Sequence, residues 1–299
     1  MTAMIFAAGL GTRLKPLTDT MPKALVPVHG QPLLAYQIDK LKRAGINDII
    51  VNVHHFPDMI IDYLRENDNF GCNIHISDER EQLLDTGGGL LKAWSTFASN
   101  EPILAINVDI VSDINFQDVI SSSIVYHLSS MPKAPGSSII YHLSSMPKAP
   151  LALLIVKSRE TQRYLCFDEN NNLCGWMNIA TGETRPSNFK SPISNLQSPI
   201  SNLQSQISNI KSLAFSGMQL LSPAALPLLQ AYNSSLSEAS SLSERSSRLN
   251  PSFNKFSIID FYLYVVEHHL GDLRALEIDV PLLDVGKISQ LSQLSTSNF

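Results

Sequence analysis

Short apolar runs and helical apolar patterns alternate along the first third of the chain. The run Ala3–Ala8 ends at Gly9, as expected of a buried strand. Further strands are predicted at Ile49–Val53, at the alternating positions Cys72, Ile74 and Ile76, and at Ile103–Val108. Apolar side chains at helical spacing predict helices with the faces Leu33–Leu41, Ile60–Leu64 (opened by Pro57) and Leu90–Phe97.

Repeated strand–helix units of this kind predict an α/β fold. We expect a Rossmann-like, mostly parallel sheet flanked by helices. Ligands of such sheets bind outside the carboxyl ends of the strands. Gly9 and Asp109 each follow a predicted strand, so both are expected at that edge of the sheet.

The same patterning resumes in the second half of the chain. A helix is predicted at Ile258–Val266. The predicted strands are Leu151–Lys157, Leu213–Leu221, Leu273–Ile278 and Leu282–Val285.

Near-identical repeats interrupt this pattern. Ser122–Pro135 recurs almost unchanged as Ser137–Pro150. The heptad SPISNLQ of Ser191–Gln197 recurs unchanged at Ser198–Gln204 and in the altered form SQISNIK at Ser205–Lys211, and Ser234–Ser247 repeats Ser-Leu-Ser-Glu. The copies are too few and too alike for a solenoid, whose units diverge while keeping a core pattern.

We therefore predict one domain over 1–299 that carries surface insertions. These are a tandem-duplicated insertion at 122–150 and low-complexity loops at 187–211 and 234–250. Such insertions cost little, because loop-closure entropy grows only logarithmically with length. A coiled coil built on the heptads is the alternative, and Pro192 and Pro199 oppose it.

Charge and targeting signals narrow the class of protein. Lys and Arg number 22 against 27 Asp and Glu, a net charge of −5 with no basic run. This excludes a typical duplex nucleic-acid binder, which needs a cationic surface. The start lacks the cationic region of a signal peptide, and the apolar run Leu151–Val156 is too short to span a bilayer. We expect a cytoplasmic protein whose three cysteines are reduced.

The strongest chemical signal is FAAGLGTRLKPLTDTMPKAL, residues Phe6–Leu25. Gly9 and Gly11 follow the first strand and allow close approach of the backbone to a phosphate. Arg13 adds a forked cation and Lys23 a mobile point charge, and a triphosphate needs both kinds of donor. A dinucleotide fingerprint is excluded because Leu14 stands where its third glycine would be, and no Walker Gly-Lys-Ser/Thr follows.

The pattern Gly-x-Gly-Thr-Arg-Leu-x-Pro-Leu-Thr, followed by Pro-Lys-Ala-Leu, resembles the signature of the NDP-sugar pyrophosphorylases, which are sugar-1-phosphate nucleotidyltransferases. Three later segments agree with it: Thr86–Gly89, Asn107–Asp109 and Leu283–Gly286. The resemblance covers roughly residues 1–116 and 151–291, with the duplication at 122–150 outside it and the serine-rich loops interrupting it.

This resemblance implies a site for a nucleoside triphosphate, a sugar 1-phosphate and Mg²⁺. Arg13, Lys23 and Asp109 would be catalytic. The nucleotide would be held by Ala8, Gly9, Gly11 and Thr12 and by a loop containing Thr86, Gly87 and Gly88. The sugar would be held by Asn107, Trp176, Asn178 and Gly217. Asp109 and Asp284 would share the metal, since Mg²⁺ is bound through one or two carboxylates plus substrate phosphates.

Several alternatives stay open. Within the family, the run Glu79–Thr86 before the glycines looks most like the N-acetylmuramate-1-phosphate uridylyltransferases of cell-wall recycling. Mannose- or heptose-1-phosphate guanylyltransferases and phosphocholine cytidylyltransferases share the N-terminal signature. Val108 stands where many relatives have glycine, and Lys287 where many have threonine. A non-catalytic nucleotide sensor is a different class, which would not need Lys23 or the two aspartates. For Trp176, ordinary packing is the competing interpretation.

Overall fold

The computed structural model describes residues 1–98, 100–121, 150–187, 189, 210–240, 253–287 and 289–291. The predicted insertion at 122–150 lies outside the described residues except for Pro150. Most of 187–211 and residues 241–250 also lie outside them.

The main elements of the described residues are strands and five labelled helices. The strands are β1 (Thr2–Phe6), β2 (Pro27–Val28), β3 (Gln31–Pro32), β4 (Asp48–Val53), β5 (Asn73–Asp78), β6 (Ile103–Asn107), β7 (Ile110–Ser112), β8 (Ala152–Lys157), β9 (Arg163–Phe167), β10 (Leu173–Asn178), β11 (Thr184–Arg185), β12 (Lys211–Leu221), β13 (Leu273–Glu277) and β14 (Leu282–Asp284). The helices are α1 (Leu33–Arg43), α2 (Pro57–Glu66), α3 (Asp85–Phe97), α4 (Ala225–Ser240) and α5 (Ile258–Glu267).

A central sheet organises these elements. Its main path runs β11-β10-β9-β12-β6-β1-β4-β5, and β8 joins β12 to β13. The neighbours β6, β1, β4 and β5 are parallel, as are β8 and β13. Strand β12 runs antiparallel to β6, β8 and β9. The predicted α/β class with a mostly parallel sheet is confirmed, and the antiparallel strands extend it.

Apolar cores lie on both faces of the sheet. Ala3 and Ile5 of β1 belong to the cluster with the apolar faces of α1 and α2, whereas Met4 belongs to the cluster with α3, α4 and α5. Alternate residues of a strand point to opposite faces, so a strand covered on both sides needs an unbroken apolar run. That requirement explains why the first strand is readable from sequence. Among the described residues, the helices include none with the length and apolarity needed to cross a membrane.

The serine-rich segment corrects one prediction. Residues 234–240 do not belong to a loop, because they continue helix α4. The hydroxyl of Ser234 donates to the Gln230 carbonyl at 3.0 Å. A serine hydroxyl that donates to a carbonyl of the preceding turn has a hydrogen-bond partner within the helix, so serine is compatible with helical structure here. The buried side chains of Leu226 and Leu229 fix the helix to the core.

The glycine triplet corrects a second prediction. Thr86–Gly89 is not a loop but forms the first turns of helix α3. The amides of Gly87 and Gly88 both donate to the carbonyl of Phe256, at 2.9 and 3.3 Å. A Cβ on Gly88 would lie 2.1 Å from the backbone oxygen of Asn254. The glycines therefore let α3 pack directly against the chain that leads into α5.

We predict that Gly88→Ala destabilises the protein by about 1–3 kcal/mol, the usual cost of overpacking a close contact. In a helix interior without such a close neighbour, replacing glycine by alanine is stabilising. Asn254 cannot move away easily, because its amide and side chain bond to Asn233 of α4, both at 2.8 Å. Thermal melts test this, with Gly9→Ala as the control because its Cβ would meet nothing within 4 Å. Equal melting temperatures for the two variants would contradict the packing account.

Candidate active site

A cavity of about 470 Å³ opens at the carboxyl ends of β1, β4 and β6. This is the edge at which parallel α/β sheets bind ligands. Many of the residues singled out from the sequence line it together. They are Ala8, Gly9, Gly11, Thr12, Arg13, Lys23, Thr86, Asn107 and Asp109.

The glycine turn after β1 forms one wall of this cavity. Gly11 has a φ of +63°, and a Cβ there would lie 2.7 Å from the Thr18 methyl carbon. Only glycine combines this left-handed backbone with so close a neighbour. The Thr18 hydroxyl donates to the Gly11 carbonyl at 2.8 Å and fixes the turn from outside. The sequence therefore builds a tight backbone loop at the place where phosphate-binding loops form.

Lys23 and Asp109 form an ion pair inside the cavity. Their side chains are only 13% and 10% exposed, so solvent screens the pair weakly. Gln37 of α1 holds the turn that carries Asp109, because its amide donates to the Ile110 carbonyl at 2.6 Å and to the Val108 carbonyl at 3.3 Å. These contacts hold the cation and the carboxylate side by side in the cavity.

Asp284 reaches the same place through strand pairing. Strand β14 lies antiparallel to β7 with Asp284 opposite Ile110, and the Val285 amide donates to the Asp109 carbonyl at 2.8 Å. Burial raises the pKa of Asp284, and the charge of Asp109 raises it further, while Lys23 and Arg13 act in the opposite direction. Two carboxyl groups distant in sequence therefore share one small volume.

This carboxylate pair fits a hard divalent cation. Asp284 Oδ1 is buried and lacks a hydrogen-bond partner among the described residues. An unpaired buried carboxylate oxygen is costly unless a cation or proton satisfies it. Gly286 leaves room for the Arg13 and Asp284 side chains, since a Cβ there would lie 2.6 Å from an Arg13 guanidinium nitrogen and 2.7 Å from Asp284 Oδ1. Oxygen ligands with substrate phosphates are the environment that Mg²⁺ prefers.

The other predicted site residues lie further from the cavity. Gly87 packs against Phe256 and Gly88 against Asn254, and neither lines the cavity, so Thr86 is the member of that motif that lines it. Gly217, with a φ of +78°, abuts the Asn107 side chain, where a Cβ would come within 2.6 Å of Asn107 Nδ2. The geometry thus links Gly217 to the cavity indirectly.

Trp176 and Asn178 are not among the residues that line this cavity. Trp176 is 8% exposed, belongs to the core cluster and carries the Arg185 guanidinium 4.8 Å from its ring centre. The Asn178 carboxamide oxygen accepts from the Ala180 amide at 3.0 Å within a turn. Their contact with a sugar remains a prediction from the resemblance.

Sequence reasoning missed three polar residues of this region. Asn52 lines the cavity from β4, and Glu79 lies directly behind it. Lys255 lines the cavity from the segment before α5. An asparagine inside an apolar strand is a signal that could have found the first, because such a residue needs buried partners. Lys255 follows a serine-rich stretch and gives no comparable signal.

Comparisons with known proteins agree with this geometry. Residues 2–129 match the family model described as nucleotidyl transferase. N-acetylmuramate α-1-phosphate uridylyltransferase of Caulobacter vibrioides is 44% identical over 109 residues, which are 36% of this chain and 45% of that protein. Mannose-1-phosphate guanyltransferase of Gibberella zeae is 37% identical over 123 residues, 40% of this chain and 34% of that one. The chain spans less than two thirds of the length of the curated relatives that it matches.

A solved structure extends the comparison to the whole fold. A putative glucose-1-phosphate thymidylyltransferase from Bacillus anthracis superposes with a TM-score of 0.66 at 16% identity, covering 100% of this chain and 97% of that one. Fold and cavity together define an α/β protein with a ligand-sized cavity at the carboxyl edge of its sheet. Residues 2–129 match the nucleotidyl transferase family model, and for this segment the resemblance drawn from the motifs is confirmed.

Proposed function

We propose that the protein transfers a nucleotidyl group from a nucleoside triphosphate to a sugar 1-phosphate and releases pyrophosphate. The observation that carries this proposal is the convergence of the glycine turn, the Lys23–Asp109 ion pair and Asp284 at the carboxyl edge of the sheet. The reaction requires that the triphosphate is held, that the sugar phosphate oxygen is aligned with the α-phosphorus, and that the repulsion between the two anionic groups is reduced. Each part of the site would serve one of these requirements.

The sugar phosphate needs no general base, because its oxygen is already anionic at neutral pH. The chain's task is to align that oxygen with the α-phosphorus and to stabilise the charge that accumulates. The backbone of Gly9–Thr12 would cradle the triphosphate. Arg13 at the cavity mouth would hold the departing pyrophosphate, and Lys23 would contact the α-phosphate.

Asp109 and Asp284 would hold Mg²⁺. When bound, the ion would supply neutralisation of phosphate charge and would orient the reacting oxygens. The Lys23 ammonium forms an ion pair with Asp109. We expect Lys23 to exchange this partner for a phosphate oxygen when the nucleotide enters.

The base and sugar are proposed from the relatives and from the cavity walls. Leu83, Asp85 and Thr86 line the cavity at the start of α3 and would face the base. Asn107 would face the sugar. Because the Caulobacter relative acts on N-acetylmuramate 1-phosphate, UTP with that sugar phosphate is the proposed pair. The Gibberella relative makes GTP with mannose 1-phosphate the second candidate.

A pyrophosphate-release screen of the common nucleoside triphosphates against a panel of sugar 1-phosphates tests this proposal. We expect turnover only with Mg²⁺ or Mn²⁺ and the highest rate with UTP and N-acetylmuramate 1-phosphate. A higher rate with GTP and mannose 1-phosphate would move the protein to the second candidate. Nucleotide binding without turnover of any pair would support the sensor instead.

A further inference from the structure

Two buried polar residues behind the glycine turn have no role in the proposed chemistry. Asn52 belongs to β4 and is 2% exposed, and Glu79 follows β5 and is 1% exposed. Burying an amide and a carboxyl group is costly unless every polar atom is hydrogen-bonded. Their bonding partners therefore indicate what they do.

The two side chains connect the glycine turn to the start of helix α3. The amides of Ala7 and Ala8 donate to Asn52 Oδ1 at 2.8 and 3.3 Å. Asn52 Nδ2 donates to Glu79 Oε1 at 2.7 Å. The amide of Leu84, the residue before α3, donates to Glu79 Oε2 at 3.0 Å. A continuous line of hydrogen bonds thus joins the wall proposed for phosphate to the wall proposed for the base.

The direction of this line is fixed at both ends. Backbone amides can only donate, so Asn52 must turn its oxygen to the glycine turn and its nitrogen to Glu79. Residue 79 then needs acceptors on both of its terminal atoms, a condition that an ionised carboxylate meets and a carboxamide does not. Burial raises the pKa of Glu79, while the bonds from Leu84 and Asn52 act to lower it.

The third glycine of the triplet provides the room for this arrangement. A Cβ on Gly89 would lie 2.7 Å from Glu79 Oε1 and 3.2 Å from Asn52 Nδ2. Helix α3 thereby passes directly over the Asn52–Glu79 pair. This close packing explains why glycine is required at position 89 without any contact to a ligand.

We propose that Asn52 and Glu79 form a directional hydrogen-bond relay that holds the glycine turn in register with the start of α3 and so sets the affinity for nucleoside triphosphate. The part that concerns affinity rests on the proposed function. Asn52 and Glu79 are positioning residues, because they act through the backbone amides of Ala7, Ala8 and Leu84. The relay predicts that shape at position 79 matters less than the order of donors and acceptors.

A charge-swap experiment tests this order. Glu79→Gln keeps the shape but sets donor against donor at one of its ends. Asn52→Asp alone sets two carboxylates against each other. The double variant restores the order. Its carboxylate at position 52 would accept from the turn and from the carboxamide nitrogen at position 79, while the carboxamide oxygen would accept from the Leu84 amide. Glu81→Gln is the matched control, since it removes the same charge from an exposed neighbouring position.

The readouts are hydrogen exchange of fragments containing Ala7 and Leu84, and the Kd of Mg-UTP by calorimetry. We expect Glu79→Gln to raise hydrogen exchange in both fragments and to raise the Kd of Mg-UTP by about tenfold or more. The loss of a buried hydrogen bond to a charged group has an effect of this size. The double variant should recover exchange protection and most of the affinity, with the KM for sugar phosphate unchanged.

Unaltered exchange in Glu79→Gln, or a double variant no better than Glu79→Gln, would overturn the relay. Unaltered Kd despite raised exchange would overturn its link to affinity. If the parent protein binds no nucleoside triphosphate, the proposed function and the link to affinity both fail. The exchange pattern alone then decides whether the relay exists.

Discussion

Asp109→Asn and Asp284→Asn are each expected to lower kcat by about 10²-fold or more, because each removes a fixed charge from the proposed metal site. The two carboxyl groups come from separate parts of the chain and meet through the pairing of β14 with β7. Neither substitution changes the shape of the side chain appreciably. The measurement is kcat as a function of Mg²⁺ concentration for each variant.

Asp279→Asn is the matched control, because Asp279 is exposed and precedes the same strand. Its kcat should equal that of the parent. Near-full activity of Asp284→Asn at limiting Mg²⁺ would exclude that residue as a ligand, and the same holds for Asp109→Asn.

The pKa of Asp284 also predicts how the stability of Asp284→Asn, relative to the parent, depends on pH. Burial and the charge of Asp109 raise the pKa in the folded state above the unfolded value of about 3.9. Stability from this group is therefore complete below the unfolded pKa and is lost as the pH rises through the folded pKa. In the absence of metal, Asp284→Asn should melt above the parent at pH 7, and the difference should vanish near pH 3. A variant that is less stable at pH 7 would contradict this account.

Lys23→Ala is expected to lower kcat by about 10²-fold as well. The proposed role of its ammonium group is to stabilise the negative charge that develops on the α-phosphate in the transition state. The Lys23 side chain lies in the cavity beside Asp109 and is 13% exposed. The substitution also leaves Asp109 without its cation, so Mg²⁺ should bind the variant at least as tightly. Measuring kcat together with Mg²⁺ affinity separates the loss of catalysis from a loss of metal.

Lys15→Ala provides the control for Lys23. Lys15 lies in the same segment, but it is 59% exposed and pairs with Asp19 at 2.9 Å on the surface. Exposed pairs of this kind contribute little, and its removal should leave kcat unchanged. Equal kcat values for Lys23→Ala and the parent would remove Lys23 from the proposed mechanism.

In the parallel half of the fold, the edge strand β5 could be predicted from its alternating apolar and polar residues, and β1, β4 and β6 because they are buried along nearly their whole length. The run Ala3–Ala8 is apolar without interruption for that reason, and it locates β1 directly. The helix at Ile258–Val266 was equally readable, and it is α5. Strands β9 and β10 were not predicted. Arg163–Phe167 mixes exposed and buried positions, and Gly175 interrupts Leu173–Asn178, so neither gives a clean period.

The candidate site was predictable where backbone shape and charge left a local signature. The segment Phe6–Leu25 by itself predicts a phosphate-binding loop, and the structure places Gly11 and Lys23 together in one cavity. The packing role of the glycine triplet could not be predicted from the sequence, because it depends on contacts with Phe256 and Asn254, which are far away along the chain. The partnership of Asn52 with Glu79 was hidden in the same way. Contacts between distant segments have no local pattern.

The most direct test of the central claim follows the phosphorus atoms of the nucleotide. UTP labelled at the α-phosphate and, separately, at the γ-phosphate is incubated with N-acetylmuramate 1-phosphate, Mg²⁺ and the protein. The proposed reaction sends the α-label into a nucleoside diphosphate sugar and the γ-label into pyrophosphate. Appearance of the γ-label on the sugar or as orthophosphate, with no α-label in a sugar nucleotide, would contradict nucleotidyl transfer.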